Sequence, residues 1–213
     1  MNKSEKLNLP EIIDITVESG LQLIPVVGGT LSSAYFGTKQ AKEFKRLENF
    51  YKILSEELNS IKIMILPIEN QYEDGLVSLI EQINYRVEKE HQEVKINKYK
   101  KYMKSILTTP ITLGNYDSIK VFLDILSSMS LLEIEIISFM YKNRDKGYIP
   151  VKNISNSGVH QYAIVGAISK IKSYGFLSTQ HVDFSISEGV DNSLQEQIFI
   201  NDYGVEFVEF TIE

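Results

Sequence analysis

The stretch from Gly166 to Leu177, Gly-Ala-Ile-Ser-Lys-Ile-Lys-Ser-Tyr-Gly-Phe-Leu, decides how the second half of this chain is read. Together with Ile164 just before it, Ala167, Ile168 and Ile171 recur at three- and four-residue spacing, which places one apolar stripe along a helix. Tyr174-Gly175 stops that helix, because glycine enters the left-handed conformation of a C-terminal cap without a Cβ clash. Phe176-Leu177 then opens a strand-like run expected to continue to Ile186.

The flanking segments extend the same pattern in both directions. Upstream, Ser155-Asn156-Ser157-Gly158 is turn chemistry and Pro150 opens a short element reaching Ile154. Before that, Ser130 and Glu133 form a capping box that predicts a helix from Leu131. Its apolar positions are Leu132, Ile134, Ile136, Ile137, Met140 and Tyr141, and the run Asn143 to Gly147 ends it. Downstream, Ser187 to Glu196 reads as a polar tip and Gln197-Ile198-Phe199-Ile200 as a returning strand. Asn201 or Asp202 caps a closing helix, whose Tyr203, Phe207 and Phe210 at i, i+4 and i+7 are expected to lock onto the first helix.

Helix, short helix, helix, two-stranded wing and closing helix, in that order, resemble the winged helix-turn-helix superfamily. The resemblance covers Leu131 to the end and rests on element order. Residues 166–177 are similar to a recognition helix running into the first wing strand, and residues 200–208, Ile-Asn-Asp-Tyr-Gly-Val-Glu-Phe-Val, to the return strand and closing helix. The resemblance implies either a transcription factor or a scaffolding and subunit-contact module, since one fold hosts both.

Charge separates these two. From Leu131 to Glu213 there are six Lys or Arg against eleven Asp or Glu, a net charge of −5, and the wing carries Asp183, Glu188, Asp191 and Glu196. DNA binding draws most of its affinity from neutralised phosphates, so this module is expected to repel a duplex. With the apolar stripe inward, the outer face of the helix presents Gln161, Tyr162, Val165, Gly166, Ser169 and Lys172 or Ser173. That face suits a protein contact better than base readout, and Gln161, Tyr162, Val165, Ser169 and Lys172 are the expected partner-binding residues. Packing of Tyr162 and Val165 on the chain's own helical domain is the plainer alternative.

The expected fold class is mainly α: a helical bundle with long helices over 1–112, then a linker helix and the winged-helix domain with its small β-hairpin over 113–213. A chain of 213 residues that is 43% hydrophobic is long enough for two such cores. It has no cysteine, residues 2–6 are charged or polar, and no signal-peptide core follows, all of which fits a cytoplasmic location. A net charge of −6 does not suit a protein that coats nucleic acid.

Within the first part, Ser19 to Thr38 holds no charged residue. Pro25 and Gly28-Gly29 divide it into halves too short to span a bilayer, so a soluble helical hairpin is expected, with a triggered membrane-inserting hairpin as the alternative. Its Gly28-Gly29 lacks the Lys-Ser/Thr of a phosphate-binding loop. From Ala41 to Ile61, Phe44, Tyr51 and Leu58 recur every seven residues beside Leu47, Leu54 and Ile61, one apolar seam along a helix packed in a bundle or in a dimer. Glu48 and Lys52 can pair on its flank. Another helix carries Leu76, Leu79, Ile80, Ile83 and Val87. The basic stretch Arg86 to Lys104, with Tyr99 and Tyr102, reads either as a solvated helix face or as a surface where Lys95, Lys98, Lys100, Lys101 and Lys104 meet an anionic ligand. Residues 10–60 also resemble the N-terminal part of uncharacterised bacterial and prophage-associated helical proteins, which implies a setting in mobile elements or phage defence.

No chemistry-bearing motif accompanies this framework. His91, His160 and His181 lack neighbours at metal-ligand spacing, and Glu88-x-x-His91 is half of a di-iron motif with no second half. Glu133 and Glu135 point in different directions on their helix. No metal, cofactor or catalytic residue is expected. The leading expectation is a non-catalytic interaction or regulatory subunit whose partner is another protein subunit or a second copy, in a bacterial defence or prophage system. The alternatives are a DNA-binding transcriptional regulator using Lys170 and Lys172, and a membrane-acting effector using residues 19–38.

Overall fold

A computed structural model describes residues 38–60, 64–67, 70–180 and 192–213. The uncharged segment before Thr38 and residues 181–191, where the wing tip is expected, lie outside these residues, as do the side chains of Phe44, Glu48 and Ile61. The chain is mainly helical, with a small three-stranded antiparallel sheet near its C-terminus. It divides into two compact units between Asp124 and Ile125.

The first unit begins with α1 (Thr38–Ser60), which packs on α2 (Glu73–Lys89) and α3 (Glu93–Thr108). On α1, Leu47, Phe50, Tyr51, Leu54 and Leu58 are buried. The described part of the heptad seam, Leu47, Tyr51, Leu54 and Leu58, is therefore covered within the chain, and Phe50, outside both expected series, widens it into a face that meets two helices. Leu76, Leu79, Ile80, Ile83 and Val87 form the buried stripe of α2 as their spacing predicts. The Tyr51 hydroxyl donates to the buried Asn84 side chain, a polar contact inside an otherwise apolar layer.

The basic stretch Arg86 to Lys104 is not one helix. It breaks at Glu90 to Gln92, where Glu90 is extended and its carboxylate accepts from the backbone N–H groups of His91 (2.8 Å) and Gln92 (3.0 Å). So short a connection makes α2 and α3 antiparallel neighbours. After α3, Ile111 is buried, its N–H bonded to the Gln71 side chain and its carbonyl to the Tyr72 N–H (2.7 Å). Next comes α4 (Tyr116–Ser128), within which the division between the units falls. Tyr102, fully buried on α3, donates to the Ile119 carbonyl of α4 at 2.7 Å.

The second unit contains α5 (Leu131–Lys142), β1 (Ile149–Pro150), a 3-10 turn (Val151–Asn153), α6 (Gln161–Ser173), β2 (Leu177–Gln180), a helical turn α7 (Asn192–Gln195), β3 (Gln197–Ile200) and α8 (Asp202–Thr211). Both halves of the capping box open α5, Ser130 accepting from the Glu133 N–H and Glu133 from the Ser130 N–H. Left-handed glycines stand where the turns require them, Gly158 before α6 and Gly175 after it. The sheet order is β1-β3-β2, so the short element at Pro150 pairs with β3, Ile149 opposite Ile198. The expected continuation of β2 to Ile186 falls outside the described residues.

The core of this unit joins Ile134, Ile137 and Met140 of α5 to Ile164, Ile168 and Ile171 of α6, Ile198 and Ile200 of β3, and Phe207 and Val208 of α8. The closing helix is rotated from its expected setting. Its buried stripe is Gly204, Phe207, Val208, Thr211 and Ile212, while Tyr203 is 37% exposed. Gly204 causes the rotation: a Cβ there would lie 2.8 Å from the Ile200 side chain and against the Phe176 carbonyl, so the helix presses its bare backbone onto the β2 entry. Phe207 stacks on Phe176 at 4.4 Å between ring centroids.

Candidate functional site

Helix α6 buries Ile164, Ala167, Ile168 and Ile171 and turns Tyr162, Ala163, Gly166, Ser169 and Lys170 outward. The start of this face is held firmly. His160 is the N-cap, its Nδ1 accepting from the Tyr162 N–H at 3.2 Å, and its ring stacks on the Tyr162 ring at 5.8 Å. Gln161 turns back, its amide donating to the Val151 (3.1 Å) and Ile154 (3.3 Å) carbonyls. Of the expected contact residues, Tyr162 is 53% exposed and Ser169 exposed, whereas Val165 and Lys172 are half-buried and Gln161 braces the fold. Gly166 lies among them, and no described residue comes within 4 Å of where its Cβ would be.

The two cations of α6 are both engaged with carboxylates of the same unit. Lys172 pairs with Glu196, which is itself buried just before β3. Lys170 lies 3.4 Å from Glu133 and donates to the Ser128 carbonyl at 3.1 Å, with the Tyr174 ring beneath it. Burial acts to lower the Lys170 pKa, but the Tyr174 hydroxyl and the Glu133 charge outweigh it and raise the value. Glu133 thus caps α5 and anchors Lys170 at once. Sequence reasoning missed both pairs and counted Glu196 only as one of the anions of the expected wing. Glu135, by contrast, is exposed and accepts from the Asn156 amide, so the two glutamates share no site.

The basic face of α3 is neutralised in the same way. Lys95 and Lys100 are buried, each about 7% exposed, with Lys95 at 3.6 Å from Glu90 and Lys100 at 3.5 Å from Glu57. Lys104 closes on the same Glu57. Burial alone would raise the Glu57 pKa, but Lys104 and Lys100 hold the carboxyl below its usual range. Lys98 and Lys101 are half-buried, and neither is free. The five lysines do not converge on an outward anion site.

Elsewhere in the first unit, a cleft of about 330 Å³ is lined by Lys45, Arg46, Asn49, Glu93 and Ile96. Arg46 there donates to the Glu88 carbonyl, and Glu93 brings one carboxylate to the lining against the two cations. Among the described residues, no three His, Cys, Asp or Glu side chains gather to hold a metal ion. Among them, too, no helix is long and apolar enough to cross a membrane. His181 and residues 19–37 fall outside the described residues. No protein-family model, no curated protein and no solved structure matches this chain.

Proposed function

We propose that the second unit is a winged helix-turn-helix module that works as a protein-contact surface, and that the chain is a non-catalytic adaptor or regulatory subunit. The element order α5, β1, α6, β2, β3, α8 with sheet order β1-β3-β2 supports the fold reading, β1 being the short strand that completes such a sheet. The observation that carries the functional reading is the pairing of Lys170 with Glu133 and of Lys172 with Glu196. A recognition helix must offer cations to phosphates, and these two would have to leave buried or half-buried carboxylates to do so. The uncharged residues outward on α6 include Tyr162, Ala163, Gly166 and Ser169, with Val165 half-buried beside them, and a neutral patch with an exposed aromatic ring suits an interface centre, where charge is depleted and aromatic residues are enriched.

Affinity isolation of the full chain from its host tests this reading, with a Tyr162→Ala, Ser169→Arg variant run alongside and its fold checked by circular dichroism. A stoichiometric protein partner held by the unsubstituted chain and lost by the variant is expected. Recovery of duplex DNA, or a partner retained undiminished by the variant, would contradict it.

A further inference from the structure

Glycine in the middle of a helix costs roughly 0.5 to 1 kcal/mol relative to alanine, and a chain keeps it where a Cβ would collide or where the backbone takes positive φ. Gly204 meets the first condition, against Phe176 and Ile200. Gly166 meets neither: it lies in the interior of α6 in helical conformation, exposed, with open space around its Cβ position. Among the described residues nothing accounts for the missing side chain. The notch it leaves is bordered by Tyr162 one turn before and Ser169 nearly one turn after, and Tyr162 is set in place by its stack on His160.

A bare helical backbone flanked by an aromatic ring lets a second helix approach closely and lower one bulky side chain into the gap. The sign of the module's charge narrows what can flank that side chain. The module from Leu131 onward carries a net −5, and the two lysines on α6 are already engaged by Glu133 and Glu196. A neutral centre within an anionic body complements an apolar stripe bordered by cations. We infer that the α6 face receives an amphipathic helix of a partner protein whose apolar stripe is flanked by Lys or Arg, with one large apolar side chain seated over Gly166 beside Tyr162. This rests on the reading of α6 as a protein-contact surface and names the partner's chemistry.

Fluorescence anisotropy with the full chain tests it, using three labelled synthetic helical peptides: Leu/Lys amphipathic, its Leu/Glu counterpart, and a scramble of the Leu/Lys peptide that destroys the stripe. The Leu/Lys peptide is expected to bind at least about tenfold more tightly than either other, a difference of about 1.4 kcal/mol. Gly166→Leu, which fills the notch on an open helix face and favours helix, is expected to weaken that binding about tenfold while leaving the circular dichroism unchanged. Tyr162→Ala should weaken it as well. Equal binding of the Leu/Lys and scrambled peptides, or of the Leu/Lys and Leu/Glu peptides, overturns the inference, as does a Gly166→Leu chain that binds unimpaired. A photoreactive side chain at position 169, crosslinked in the host, separates the two claims. A protein captured there whose contact segment is not cationic leaves the contact surface standing and overturns only its assigned chemistry. Duplex DNA captured there overturns both.

Discussion

Gly166 and Gly204 are the same residue type in helices of one unit, and the space around each gives opposite expectations for the same substitution. Gly166→Ala adds a methyl group to open space, so the chain should gain up to about 1 kcal/mol of stability. Gly204→Ala gains the same propensity but drives a Cβ into the Phe176 carbonyl and the Ile200 side chain, and overpacking of that kind costs about 1 to 3 kcal/mol. Urea midpoints of the two variants should therefore move apart, up for position 166 and down for 204, and a shift in the same direction for both would contradict the packing described. Carboxylates supply a second residue-scale expectation. Glu57, Glu90 and Asp124 are each partly desolvated, which raises their pKa values, yet lysine, arginine and backbone N–H partners reverse that and hold all three below the ordinary range. A folded-state pKa below the unfolded one gives stability that is present above the unfolded value, about 4, and is lost as pH falls through the folded value. Chemical denaturation as a function of pH should show the first unit weakening in that acid window. The weakening should be smaller in Glu57→Gln, and an unchanged slope in that variant would deny Glu57 this role.

Among the elements, α8 tests the core most sharply. Phe207 is fully buried against Phe176, so Phe207→Ala should cost about 3 to 5 kcal/mol, whereas Tyr203→Ala should cost less than about 1.5 kcal/mol because Tyr203 is partly exposed. Comparable losses at both positions would restore the stripe that spacing alone suggests. Where sequence reading succeeded, the determinants were local: Ser130 with Glu133, the left-handed Gly175, the 3.6-residue stripe of α6 and the Asn201 cap, whose side chain accepts from the Gly204 N–H at 3.0 Å. Where it failed, the determinant joined residues far apart in the chain. The setting of α8 depends on Phe176 and Ile200 facing Gly204, and the pairing of β1 with β3 links Ile149 to Ile198. The break between α2 and α3 is a local exception: the Glu90 side chain accepts from the N–H groups of the next two residues, a contact that apolar spacing does not reveal.

For the molecule as a whole, the distribution of charge carries the account. Before Leu131 the chain holds sixteen Lys or Arg against seventeen Asp or Glu, and after it six against eleven, so most of the net −6 lies in the second part. The acidic character of that part was legible in composition. The candidate surface was legible only in part: spacing placed Tyr162, Val165 and Ser169 on the outer side of α6, but that Lys170 and Lys172 are held by Glu133 and Glu196 follows from ion pairs 37 and 24 residues apart in sequence. The same holds for the lysines of α3, which cluster in sequence and are separately neutralised in space by Glu57 and Glu90. A protein arranged in this way should not behave as a polycation toward nucleic acid at either end. The most direct measurement is a titration of labelled duplex DNA with the full chain at several salt concentrations. The expected result is no saturable binding near 0.15 M salt and no steep linear dependence of log affinity on log salt concentration. Sequence-selective binding at that ionic strength, weakening steeply with added salt and abolished by Lys170→Gln with Lys172→Gln, would contradict it.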